Sequence, residues 1–278
     1  ARVALGAFAL AVGGPASEAL PDDAKTGATP PRPRTFALLI GCTEYPELRK
    51  ASASEAVYRA KVRLGGCVND VEAMTTALVD RLGVRREDIV ALAGWPDDAA
   101  ARPTEANVRA ALVALAARKF EQGDRVIVHY SGHGVQLPDE DGDETDGLDE
   151  AWLLADGRKD PSTAYAGTLR DDELGERLRA IRDRAASVWC VMDCCHSATG
   201  MRGASDPQTR TRGLDPAVVN VEVKPASAGR APGGHQDSPM DDARRGTDGI
   251  VVFYAAQSFQ EVPEVRMPER GASSKPFG

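Results

Sequence analysis

The sequence predicts an α/β domain on a doubly wound, mostly parallel sheet with helices on both faces. Three observations predict it. Apolar runs of strand length alternate with stretches whose apolar residues recur every three or four positions. The runs Phe36–Ile40, Arg125–Tyr130 and Val188–Met192 show little polar alternation, as expected of strands covered on both sides. Polar, reactive side chains gather directly after the last two, where open parallel sheets place their chemistry.

The 278 residues suffice for one large domain with tails or for two small ones. Net charge is −8, from 34 basic and 42 acidic residues, which argues against non-specific nucleic-acid binding as the main role. Five cysteines at irregular spacing, two of them adjacent, do not make a disulfide framework.

Taken in order, Val3–Val12 is an apolar run after Arg2 that resembles the core of a secretory signal, with Ser17-Glu18-Ala19 as a loose cleavage site. If that segment is a signal peptide, export to a periplasmic or extracellular space is expected; otherwise the protein is expected to be cytoplasmic. The run is short for a stable membrane span. Pro21–Arg34 reads as a linker. Phe36–Ile40, ending at Gly41, is a central strand, and the polar stretch Thr43–Arg63 carries no clear pattern. Val71, Met74, Leu78 and Leu82 predict a helix capped by Asn69 or Asp70. Asp88–Leu92 is a second strand. Pro103-Thr104 opens a helix with Val108, Leu112, Leu115 and Phe120 on one face, ended by Gly123-Asp124. Arg125–Tyr130 is the third strand. An acidic loop, Asp139–Glu150, precedes a short apolar piece, Ala151–Leu154. Asp171 or Asp172 caps a helix carrying Leu174, Leu178 and Ile181, and Val188–Met192 is the fourth strand. Met201–Asp248 is rich in Gly, Pro, Ser, Asp and Arg, and reads as a long flexible linker. Gly249–Ala255 restores a strand. With no element to cover it, the C-terminal region is expected to be incomplete.

His133 and Cys195 stand out. Each follows a predicted parallel strand, and neighbouring strands would bring them together. A thiol needs a nearby base to become a nucleophilic thiolate, and imidazole suits that near neutral pH. Gly132 and Gly134 let the backbone beside His133 approach a bound carbonyl. His196 competes as the base by adjacency, but one residue along a turn its side chain points elsewhere. Zinc held by Cys194, Cys195, His196 and His133 is the metal alternative, though zinc ligands usually come as spaced pairs.

His-Tyr-Ser-Gly-His-Gly at 129–134 and Asp-Cys-Cys-His-Ser at 193–197 resemble the two signatures of caspase-like cysteine peptidases, closest to the metacaspases and their bacterial relatives. Phe36–Gly41, Gly66–Asp70 and Leu169–Leu174 resemble that family's first strand, first helix entry and third helix entry. The resemblance covers about 35–199 and resumes at 249–257. It implies a caspase-like fold with a catalytic, large-subunit-like region over 34–200, after a signal-like segment and linker over 1–33. A flexible linker over 201–248 and a small-subunit-like region over 249–278 would follow. By motif, it implies His133 as general base and Cys195 as nucleophile, Cys194 being a second thiol. Backbone amides of Gly134 and Cys195 would stabilise the oxyanion.

The resemblance also implies an acid-lined pocket for the residue before the scissile bond, with Asp70 and Asp193 as its carboxylates and Cys67 and Ser131 beside them. Two shielded carboxylates favour guanidinium or ammonium groups, so cleavage of peptide and protein substrates after Arg or Lys is expected. Asp70 also suits a helix N-cap. No cofactor is required. Calcium is implied by resemblance at Asp149, Asp171 and Asp172, although Arg202 stands where the family often places a further acid. The acidic loop is not an EF-hand, because Glu144 occupies the position where the sharp turn needs glycine. Arg202, Arg210, Arg212, Lys224, Arg230, Arg244 and Arg245 put basic residues in the linker, so the chain is expected to cut itself there. The rival reading is a catalytically silent scaffold or calcium-sensing domain.

Overall fold

The computed structural model describes residues 32–94, 98–142, 144, 147–184, 186–195, 212–224 and 249–255, and the backbone of 265–267 and 275–277. The signal-like run Val3–Val12 and most of the first linker lie outside the described residues.

The centre is a five-stranded parallel sheet. Its strands are β1 (Thr35–Gly41), β2 (Ile89–Leu92), β3 (Arg125–Ser131), β7 (Ser187–Asp193) and β8 (Ile250–Tyr254), in the order β2-β1-β3-β7-β8. Such neighbours need crossovers rather than hairpins. The crossovers include α3 (Cys67–Leu82), α4 (Glu105–Ala116) and α5 (Asp171–Arg182). Alternate residues of β1 feed opposite faces: Phe36, Leu38 and Ile40 join the larger core, whereas Ala37 and Leu39 pack with Val71 and Leu78 of α3. With both faces covered, the sheet is the expected caspase-like α/β arrangement.

Between β3 and α5 lies a three-stranded antiparallel sheet, in the order β4-β5-β6. It comprises β4 (Gly134–Pro138), β5 (Leu148–Asp160) and β6 (Ala164–Arg170). The acidic loop is therefore the β4–β5 connection, and the apolar piece Ala151–Leu154 is the middle of a thirteen-residue strand. Trp152 pairs with Gly134 and stacks on Tyr130, ring centroids 4.4 Å apart, so the second sheet is fastened beneath the end of β3.

The stretch Thr43–Arg63 forms α1 (Pro46–Ala51), one turn α2 (Glu55–Val57) and a π-helical turn, Tyr58–Val62. The Ser54 side chain accepts from the Val57 amide to start α2. Helix α3 begins at Cys67, two residues before the earlier of the two expected caps, with Gly66 at the N-cap and no side-chain cap. Asp70 thus stands in the first turn, where a carboxylate suits the helix dipole. Helix α4 ends at Ala116, ahead of Gly123, and Phe120 packs edge-on against Phe36 from beyond it. Arg170, not Asp171 or Asp172, is the N-cap residue of α5.

Residues 212–224 depart from the flexible linker expected over 201–248. Arg212, Leu214 and Val219 are fully buried, and Pro216–Val219 is a 3₁₀ turn. Arg202, Arg210, Arg230, Arg244 and Arg245 lie outside the described residues. Beyond β8, β9 (Val265–Met267) and β10 (Lys275–Phe277) pair antiparallel. No helix among the described residues is long and apolar enough to cross a membrane.

Candidate active site

Strands β3 and β7 are neighbours in register, Ser131 opposite Asp193. His133 and Cys195 each lie two residues beyond that pair, at the carboxyl edge of the sheet. Both are buried.

His133 is held by its backbone and by its ring. Its amide donates to the Tyr45 hydroxyl at 3.0 Å, and its carbonyl accepts from the Leu153 amide at 2.9 Å and the Tyr130 hydroxyl at 2.8 Å. Gly132 permits this turn: a Cβ there would run into the Tyr130 ring. The ring Nε2 sits 2.6 Å from the Val62 carbonyl oxygen. Val62 ends the π-helical turn, and terminal carbonyls of helical turns lack a partner of their own. The short contact calls for Nε2–H as donor, so the neutral ring carries its lone pair on Nδ1. Burial is the main cause that holds the imidazole down to about 4, against the two carbonyls, which favour the charged form. Burial thus favours the neutral ring at neutral pH, and the shorter of the two carbonyl contacts, to Val62, favours its proton on Nε2.

Arg212 fills the space between α3, β3 and β7. Its Nη2 donates to Asp70 Oδ2 at 2.6 Å, and its Nη1 donates to Ser131 Oγ and to the Asp193 carbonyl at 3.1 Å. The Asp193 carboxylate lies 3.5 Å away. Ser131 in turn donates to Asp70 at 2.8 Å. Burial works against the Arg212 charge, but Cys67, Asp193 and Asp70 outweigh it and hold the proton more firmly than usual. The Arg212 carbonyl accepts from the Gly134 amide at 3.1 Å and faces His133 Nδ1 at 3.2 Å. Arg212 thus brings together Asp70, Ser131, Asp193, His133 and Gly134, with Cys67 close enough to act on its charge.

Cys194 is separate in character. It belongs to the main core, and burial, with Cys195 and Asp193 adding to it, pushes its thiol well up. Burial of this kind disfavours the thiolate. His196 lies outside the described residues. Among the described residues, neither His133 nor the cysteines belong to a group of three ligand atoms close enough to share a metal ion.

The acids of the β4–β5 connection form a second cluster. Ligand oxygens of Glu144, Glu150 and Asp171 lie within 4.8 Å of one another. Asp149 instead pairs with Arg170, whose other amino group reaches Glu140 at 2.7 Å. Asp172 lies beside the cluster, and burial first, then Asp141, raises its carboxyl. Of the three acids expected to hold calcium, the structure puts one, Asp171, into the three-carboxylate group. Glu144 and Glu150 are the members that sequence reasoning missed. Hard oxygen donors of this kind fit calcium.

Val62 and Tyr45 were also missed as site residues. A backbone carbonyl has no sequence signature, and Tyr45 sits in the stretch without a pattern.

Known proteins resemble this chain over the same ground. A sequence profile of the metacaspase, peptidase C14 domain, matches residues 37–203. Metacaspase-1A of Aspergillus niger is 35% identical over 144 residues, 52% of this chain and 34% of that protein. Metacaspase-1 of Emericella nidulans is 36% identical over 141 residues, 51% and 33% of the two chains. The chain thus spans about a third of the length of these relatives. A crystal structure of protein GSU0716 from Geobacter sulfurreducens shares the fold, with a TM-score of 0.51 and 24% identity over 82% of this chain and 75% of that one. The profile runs through both strand ends, the acidic connection and α5, well over half of the chain. The chain belongs to the metacaspases, a family of C14 cysteine peptidases.

Proposed function

We propose that the protein is an endopeptidase that cleaves after Arg or Lys through His133 and Cys195, and that it cuts its own chain after Arg212. The observation that carries this reading is Arg212 itself. Its guanidinium meets Asp70 and its carbonyl meets the Gly134 amide and His133 Nδ1. This is the pose expected of the residue preceding a scissile bond.

In this reading His133 Nδ1 takes the Cys195 proton, and the thiolate attacks the substrate carbonyl carbon. The Gly134 amide, with that of Cys195, stabilises the oxyanion. The imidazolium, held by the Val62 carbonyl, then protonates the leaving amine, and water resolves the thioester. Asp70 and Asp193 favour a basic side chain by charge, and Ser131 orients Asp70. Aspartate in the same place would meet two like charges.

Glu144, Glu150 and Asp171 are the residues that would hold calcium. Bound there, the ion would offset their mutual repulsion and fasten the β4–β5 connection to the start of α5.

The test is a panel of fluorogenic peptides with Arg, Lys or Asp before the reporter, with and without calcium. Turnover of the Arg and Lys peptides, lost in Cys195→Ala, is expected. Turnover of the Asp peptide alone would overturn the pocket. Tight peptide binding without turnover would favour the silent scaffold.

A further inference from the structure

The site holds not only Arg212 but also the chain that would leave after a cut, and the two sides are anchored separately. On the upstream side the anchor is the guanidinium on Asp70, Ser131 and Asp193. On the downstream side Gly213 lies beside Gly134, whose amide holds the Arg212 carbonyl just before it, and the anchoring begins with the next residue. Leu214 is fully buried in the main core. The Asp215 carboxylate accepts from the Ala217 amide at 2.9 Å and opens the 3₁₀ turn, whose Val219 is fully buried. Val221 and Val223 pack against the same core. The contacts from Leu214 onward do not depend on the Arg212–Gly213 peptide bond.

We propose that the Gly213 amine, once freed, stays seated as an acyl acceptor, so that the nicked protein transfers peptides onto its own Gly213 as well as hydrolysing them. This rests on the peptidase reading above. In the first step the Cys195 thiolate attacks the Arg carbonyl carbon of a donor. A C–S bond forms, the bond to the donor's leaving group breaks, and that group takes the proton carried by His133. In the second step the neutral Gly213 amine attacks the thioester carbon. A C–N bond forms, the C–S bond breaks, and the surplus proton of the amine passes to His133 Nδ1. Nothing is oxidised or reduced, and the donor is the sole co-reactant. With Arg212 as the acyl group, the same second step re-closes the cut. A well-oriented neighbouring group acts at an effective concentration on the order of 10⁵ M or more, which favours the amine over bulk water. A donor in trans must displace Arg212 from Asp70, so it is supplied in excess.

The experiment takes the self-cut full chain and an N-acetylated peptide ending in an Arg methyl ester. The part beginning at Gly213 is followed by mass spectrometry. The expected result is a gain of the acyl-peptide mass, mapped to the Gly213 amine. Transfer relative to hydrolysis should rise with pH through about 8, where an α-amine loses its proton. Leu214→Ala should lower that ratio roughly tenfold or more, as the anchor loosens. Acetylating Gly213 of the nicked wild-type protein should stop transfer while ester hydrolysis continues, and this arm needs no folded variant. Hydrolysis of the ester with the Gly213 part unmodified would overturn the proposal alone. An ester left intact would overturn the peptidase reading, and the transferase with it.

Discussion

Two groups of acids, one at the carboxyl edge of the parallel sheet and one drawn from the β4–β5 connection, β5 and α5, are arranged in different ways. Asp70 and Asp193 close on a guanidinium of the same chain, with Ser131 bridging the two partners. Glu144, Glu150 and Asp171 bring three carboxylates within 4.8 Å of one another, beside an Asp172 whose carboxyl is raised. The first group matches a planar, forked cation with several directed donors. The second offers converging hard oxygens, which suit a compact divalent ion. Acid clusters that look alike in composition thus differ in geometry: one closes on a side chain, and calcium is what we propose for the other.

The largest effect that would break this comparison is at the nucleophile. Cys195→Ala should lower turnover of Arg peptides by on the order of 10³-fold or more, since members of such a unit fail together. Retained turnover, measured with the same fluorogenic peptide, would remove Cys195 from its role. At the first acid group, Asp70→Asn deletes one charge-assisted hydrogen bond, worth about 1.5–3 kcal/mol. It should lower kcat/KM for Arg peptides by roughly 10- to 100-fold, against a smaller change for peptides with an uncharged residue at that place. Equal losses on both would show that Asp70 supports the fold and not the specificity.

Stability against pH sharpens the role of burial at the same strand end. Burial holds both His129 and His133 down to about 4, below the usual value of about 6.5. A group with a depressed folded value contributes its full stability above the unfolded value. That contribution drains as pH falls toward the folded one. The two histidines should together cost on the order of a few kcal/mol between about pH 6.5 and 4. Urea midpoints followed across that window would read this. A flat profile would mean that the imidazoles are already charged or solvated. The smallest effect belongs to the second acid group. Calcium at about 100 times its Kd should stabilise the fold by about 2.7 kcal/mol, seen as a rise in Tm that Glu150→Gln and Asp171→Asn abolish. An equal rise in those variants would move the ion elsewhere.

The parallel strands were legible because burial on both faces makes them plain apolar runs, as in Phe36–Ile40 and Val188–Met192. The antiparallel sheet was not. Strand β5 mixes Asp149, Glu150, Gly157 and Arg158 with its apolar centre, and β4 ends on Pro138, so neither shows a clean period. Asp70 suits a cap, yet its carboxylate is spent on Ser131 and Arg212, and α3 starts earlier without it. The residues bearing side-chain chemistry, His133, Ser131, Asp70 and Asp193, could be named from motifs. The registration of His133 through the Val62 carbonyl could not, because a main-chain group leaves no mark in the sequence. Arg212 was one of seven basic residues in a segment read as flexible. What sets it apart is the Leu two positions on, which anchors the segment in the core.

The central claim is that the Asp70–Asp193 pocket receives Arg212 as a substrate in cis. Incubating the full chain and mapping its new N-termini by mass spectrometry tests it most directly. The account predicts one new terminus at Gly213, absent from Cys195→Ala. A first cut after any other residue, or the same cut in the Cys195→Ala chain, would contradict it.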